Sequence, residues 1–431
     1  METEQGFFRA SAPSGTSVGK YEAVQVEPKK AVENIEKIIA PKLRDQDVAD
    51  QQNIDQILID LDGTENKSRL GANALLAVSV ACLRAGAAAL NFPLYSYISQ
   101  ICRGRPSANS PEGSPLENLP IPCFNVLEGG VHAGNELDIQ EFMIVPQMES
   151  FKENLTIAVE IYHSLGKILE KKFGRTSTNV GDEGGFAPPI KKTKEALDLI
   201  IEAIKKVGYE GQVKIGLDCA ASEFFKNGKY TSGDNYGVRS KIENEFSIFF
   251  LTCNYNFEGK KLTGEKLLKF YQRIIEAYPI LFLEDPFAAD DWQSFQALQK
   301  NCNKSLRSQN FVTDGILVVG DDLTVTNPER IKLAKEKNAC NAIVLKPNQI
   351  GTVTETLRAA KLAKEFGPEG EQAPYGAGWK IVVSHRSGDT CDDFIADLAV
   401  GVAADYIKSG APARGERVAK YNRLLRIEEE L

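Results

Sequence analysis

Histidine is scarce, with three in 431 residues, and none of the eight cysteines stands in a C-x-x-C pair. That spacing suits neither a zinc ribbon nor a dense disulfide framework, and it predicts a reducing, cytosolic compartment. Basic blocks of five or six residues are missing too. With 51 Lys and Arg against 59 Asp and Glu, the net charge is -8, so no nucleic-acid partner is expected. No run reaches the roughly 20 consecutive apolar residues of a membrane span. The nearest approach, Leu70 to Leu90, is broken by Asn73 and Arg84 and predicts a buried helix. The first nine residues carry acids where an export signal needs bases, so no signal peptide is expected. The stretch Pro13 to Lys20 is one residue short of a P-loop, and Tyr21 replaces the required Ser or Thr. Nor does a full G-x-G-x-x-G surround Gly376 and Gly378, so a dinucleotide site has no support.

What the chain does have is an ordinary globular composition, 42% apolar and 26% charged, at a length that permits two or three domains or one barrel with a smaller module. From about Lys29 to Gln100 apolar residues recur at three- and four-residue spacing, which predicts a helical N-terminal module. A polar stretch rich in Pro, Ser and Gly from Arg103 to Pro120 marks a boundary, placed at 1–115 and 116–431. Beyond it, short apolar runs alternate with amphipathic helices at βαβ spacing, which predicts a parallel sheet.

Six of those runs end in an ionisable residue: Asp218, Glu284, Asp321, Lys346, His385 with Arg386, and Lys408. One such charge is usually the chain reaching solvent. Six in succession predict an eight-stranded α/β barrel whose strand ends converge on one face. Acids come first and bases later, which suggests a cation site facing an anion site. Three carboxylates on rigid strands suit Mg²⁺ completed by water and substrate oxygens. Arg386 beside Ser387 suits phosphate or carboxylate. Lys346, near a dication and other bases, is expected at a lowered pKa, able to take a proton from carbon next to a carboxylate. The Gly-flanked pair Asp182-Glu183 reads as the aim of a general acid, and Gly129 to Gly134, with His132, pairs with Gln140-Glu141; either could be an ordinary turn. His163, on an amphipathic pattern, reads as structural.

Taken together these residues resemble the enolase family. The strings PSGTSVG, HAGN with QEFMIVP, NVGDEGGFAP, IGLDCAASEFF, LEDPF, GDDLTVTNP, LKPNQIGT, VSHRSGDT and IKSGAPARGERVAKYN carry the likeness in order along almost the whole chain. The resemblance implies an α/β fold, an eight-stranded TIM-like barrel of enolase type opening with ββαα units, after a smaller N-terminal α+β module. It implies a lyase that reversibly dehydrates 2-phospho-D-glycerate to phosphoenolpyruvate in glycolysis. By the same resemblance Asp218, Glu284 and Asp321 would bind a first Mg²⁺ and Ser17, on a mobile loop, a second that arrives with substrate. Lys346 would take the C2 proton and Glu183, supported by Glu141, would protonate the leaving hydroxyl. His132, Glu141, Glu284, Asp321, His385, Arg386, Ser387 and Lys408 would line the substrate, the phosphate lying on Arg386 and Ser387. A cytoplasmic homodimer is implied as well. Enolases normally begin with a strand segment like S-R-G-N-P-T-V-E-V, and the module here is expected to lack that first strand. Glu128 stands where Asn is usual and Ala289 where an acid is common; residues 103–119, 301–315 and 367–376 look like polar insertions. The alternatives are an inactive enolase-derived binding or structural protein with a shortened N-terminus, or a Mg²⁺-assisted proton abstraction without phosphate, which Arg386-Ser387 and Ser17 disfavour.

Overall fold

The computed structural model describes residues 1–103, 119–226, 254–305, 315–366 and 378–431. The three expected insertions fall mostly outside that set, although residues 301–305 belong to helix Trp292–Ser305. The N-terminal portion starts with a small antiparallel hairpin, β1 (Glu2–Thr3) and β2 (Gly6–Phe7), and continues as helices. Helix Gln51–Asp62 begins where the Asp50 side chain accepts from Asn53 N and stops at Gly63, whose φ of 67° is the left-handed cap that glycine adopts without a Cβ clash. Ile54 and Leu58, one helical turn apart, face Ala74, Leu75 and Cys82 of helix Ala72–Ala89 in a core of their own. Helix 72–89 is long and apolar enough to cross a membrane, yet 67% of it is buried within the protein.

The other face of this module docks on the barrel through polar groups. Asp55 Oδ2 accepts from Thr354 N at 2.7 Å, Ser79 Oγ accepts from Val353 N at 3.0 Å, and Gln51 donates to both Asp55 and Ser79. Asp55 thereby satisfies the start of helix Val353–Glu365 from another element. Replacing Asp55 with Ala leaves that buried N–H without an acceptor, and unfolding by urea should show a loss of about 1–3 kcal/mol. An unchanged midpoint would show that the Asp55 contact adds nothing to stability.

The barrel closes from eight strands: β3 (Ile121–Glu128), β4 (Glu141–Pro146), β5 (Val213–Asp218), β9 (Ile280–Glu284), β10 (Leu317–Gly320), β11 (Ala342–Leu345), β12 (Lys380–Ser384) and β13 (Tyr406–Lys408), which pairs back to β3. Between β5 and β9 the short strands β6 (Phe225–Lys226), β7 (Asn254–Phe257) and β8 (Lys260–Leu262) form a separate antiparallel sheet. Alternate residues fill the barrel, among them Met143, Val145, Phe282, Val319, Val344 and Val382. Gly216 makes room for them: a Cβ there would lie 2.1 Å from the Phe282 ring.

The sheet is not wholly parallel as the alternation suggested. β4 runs antiparallel to both β3 and β5, and helices Phe151–Phe173 and Thr193–Val207 follow it before β5. The β3–β4 connection, residues 129–140, carries a single 3-10 turn at Gly130–His132 and no crossover helix, so the chain returns antiparallel from the same rim. Glu141, the first residue of β4, therefore lies at the same rim as the last residues of its neighbours. His163 sits exposed on the outer helix, away from that rim.

Candidate active site

Strand register places four carboxylates side by side. Glu128 pairs with Glu141, Glu141 with Asp218 and Asp218 with Glu284. Lys408, at the end of β13, reaches across the barrel into this row, its Nζ 3.2 Å from Glu141, 3.1 Å from Asp218 and 2.8 Å from Glu284. Burial would lower this ammonium, but Glu141, Glu284 and Asp218 outweigh it and hold it well above the ordinary lysine value. Burial and the neighbouring acids push Glu141 and Glu284 well above the usual carboxylate range. Lys408 does not satisfy the whole row: among the described residues Glu284 Oε2 is buried without a hydrogen-bond partner. That orphaned oxygen and the hard donor set fit a divalent cation.

Asp321 pairs with Lys346 at 2.5 Å and accepts from Gln349 at 2.7 Å. Burial would lower Lys346, but Asp321 reverses the shift and raises it above the ordinary value. The lowered pKa expected from the crowd of bases is thus absent while Asp321 serves as the partner. Asp218, Glu284 and Asp321 are not one compact ligand group, since Lys408 stands between the first two and Lys346 holds the third. Among the described residues, candidate ligand atoms lie within 4.8 Å of one another in His132, Glu141 and Glu183, and in Asp285, Asp321 and Asp322. Asp285 accepts from the backbone N of Asp321 and Asp322 at 3.1 and 2.5 Å, shaping the turn after β10. Burial and Asp321 push Asp322 up to about 7.

Across the cavity, Glu183 Oε2 accepts from Asn125 Nδ2 at 2.8 Å and lies 3.2 Å from His385 Nε2. Burial alone would raise Glu183, but His385, His132 and Lys408 together hold it well below the ordinary range. His385 is neutral, its pKa pushed down to about 4 by burial. Arg417 Nη1 lies 2.7 Å from His385 Nδ1, and a guanidinium can only donate, so the ring's proton is assigned to Nε2, facing Glu183. His132 Nδ1 is buried without a hydrogen-bond partner, 3.7 Å from Glu183 Oε1 and 3.8 Å from Glu141 Oε1. Those gaps are too long for direct bonds and admit a bridging hydroxyl or water.

On the third side, Arg386 forks onto Glu22 at 2.8 and 3.2 Å and reaches Ser17 O at 3.0 Å. Thr16 N donates to Ser387 Oγ at 2.6 Å, and Ser14 pairs with Gly388. Gly15 lets the loop lie this close, because a Cβ there would sit 2.1 Å from Arg386 Nη2. The segment once compared with a P-loop is thus folded over the Arg386 fork, and it is anchored where Tyr21 OH donates to Asp290 at 2.7 Å under the Arg330 guanidinium. An incoming anion must share Arg386 with Glu22.

Ser17, His132, Glu141, Glu183, Asp218, Asp321, Lys346, Arg386 and Ser387 line one cavity. Glu284, Lys408 and His385 do not line it and are buried. The sequence reading missed Asn125, Glu22, Asp285 and Arg417. Arg417 is buried and also donates to the backbone oxygens of Arg386, Ser387 and Asp182.

Residues 1–98 match the family description "Enolase, N-terminal domain" and residues 117–431 match "Enolase, C-terminal TIM barrel domain". A protein of Mastigamoeba balamuthi named "Enolase" is 46% identical over 445 aligned positions, which span all of this chain and 91% of that relative.

Proposed function

The chain belongs to the enolase family, and we propose that it carries out reversible dehydration of 2-phospho-D-glycerate to phosphoenolpyruvate, as a metal-dependent hydro-lyase. The observation that carries this reading is the placing of an amine, Lys346, and a carboxyl group, Glu183, in the wall of one cavity whose remaining sides hold acids and the Arg386 fork. Lys346 takes the proton from C2, and the electron pair of that bond moves toward the substrate carboxylate. When the pair returns to form the C2–C3 double bond, the C3–O bond breaks and Glu183 gives its proton to the departing hydroxyl, which leaves as water. Asp218, Glu284 and Asp321 would hold Mg²⁺, which would supply positive charge to stabilise the charge built up on the substrate carboxylate, and Lys346 loses the pull that raises it to the extent that Asp321 is shared with that cation.

The resting carboxylate of Glu183 is the form that removes a proton from water in the hydration direction. For dehydration, Glu141 is a nearby donor, since burial raises its affinity for a proton and its oxygen lies within 4.8 Å of the Glu183 ligand atom. His132 orients the hydroxyl in the gap between them. Arg386, Ser387 and the Ser17 loop receive the phosphate, and Ser17 would be the protein ligand of a second Mg²⁺ beside it. Lys408 offsets the acid row beside the substrate carboxylate. The reading extends to a cytoplasmic homodimer and to a boundary near residue 115, supported by the gap between the two family matches at 98 and 117. No observation favours an inactive scaffold.

Turnover is followed by the ultraviolet absorbance of the enol phosphate. Chelation should abolish it and Mg²⁺ should restore it; a folded, Mg²⁺-supplied sample that forms no product refutes the proposal.

A further inference from the structure

Strand β3 sends two polar side chains to the turn that carries Glu183. In a regular strand, residues three apart point to opposite faces. The register of β3 slips between Asn125 and Leu127, and that bulge brings both Asn125 and Glu128 to bear on the turn. Asn125 holds the Glu183 carboxylate itself at 2.8 Å. Glu128, fully buried, holds the backbone: Oε2 accepts from Glu183 N at 3.2 Å and Oε1 from Gly185 N at 2.6 Å. The turn is shaped for this carboxyl group. A Cβ on Gly181 would meet Glu128 Oε2 at 2.1 Å, and one on Gly185 would meet Oε1 at 2.9 Å. Glu183 O in turn accepts from Ala411 N at 2.9 Å, so the residue is fixed on both sides of its Cα.

We propose that Glu128 is a positioning residue, whose two carboxyl oxygens clamp the Gly181–Gly185 turn and thereby aim Glu183 at the leaving hydroxyl. The inference rests on the dehydration reading above. An amide cannot substitute, because one of its two terminal atoms is a donor and would face a backbone N–H. Lys346 directly follows β11, outside the clamp, so proton removal at C2 does not depend on it.

The test separates the two halves of the reaction in Glu128→Gln. Solvent exchange of the substrate's C2 hydrogen reports Lys346, and product formation reports Glu183. Dehydration should fall roughly 10- to 100-fold, the cost of misplacing a reacting group by about 1 Å, while C2 exchange and KM stay close to wild type. Glu128→Asp, which keeps both acceptor oxygens, should recover part of the loss, and the Glu183 and Gly185 amides should exchange with deuterium faster in the Gln variant. Parallel loss of exchange and dehydration, an Asp variant no better than Gln, or amides that keep their protection would each overturn the proposal. Wild-type protein that neither exchanges nor dehydrates would refute the dehydration reading, and the amide protection would still decide the clamp.

Discussion

Replacing Lys346 with Ala should abolish both proton exchange at C2 and formation of the enol phosphate, each by the roughly 100- to 10,000-fold typical of a lost acid–base group. The two losses should match, since among the described residues no other lysine lines the cavity, and Lys408 is engaged by three acids and held well above the ordinary lysine value. The variant also frees Asp321 of its 2.5 Å ion pair. Mg²⁺ affinity, measured by calorimetry, should therefore be equal to or tighter than wild type, and loss of the cation cannot then explain loss of turnover. Exchange at the wild-type rate in the Ala variant would remove Lys346 from the mechanism.

The barrel and its charged rim were legible because both leave local signals. A strand that ends in a charge announces itself wherever it lies, and six in succession imply a common face. The direction of β4 left no such local signal, since Phe142-Met-Ile-Val reads the same in a parallel or an antiparallel strand, and the ββαα opening came only with the family resemblance. Groups that act through the backbone were also hidden. Arg417 lies among the charges of helix Gly415–Glu430 and reads as a solvated face, yet its partners are carbonyl oxygens and one imidazole from segments about 30 and 235 residues away. Glu128, which stands where Asn is usual in the family, removes no named catalytic group, and only the bulge in β3 shows why a carboxylate fits there. Acids and bases do meet at the rim, but Lys346 and Lys408 lie against the very carboxylates expected to hold metal, so each lysine's proton affinity depends on which partner those acids have.

Changing Glu183 to Gln should separate the two bonds that Lys346→Ala removes together. Asn125 Nδ2 and His385 Nε2 both face the same oxygen of residue 183, so they fix the amide with its oxygen toward them and its nitrogen toward His132. Geometry is retained and only the capacity to carry a proton is lost. Dehydration should fall by roughly 100- to 10,000-fold, while deuterium from solvent still enters at C2, because Lys346 and the carboxylate row are untouched. The hydration direction should suffer equally, since the same atom must then take a proton from water. Near-normal dehydration in this variant would move the acid elsewhere, and Glu141, raised by burial and within reach of the same gap, would take its place.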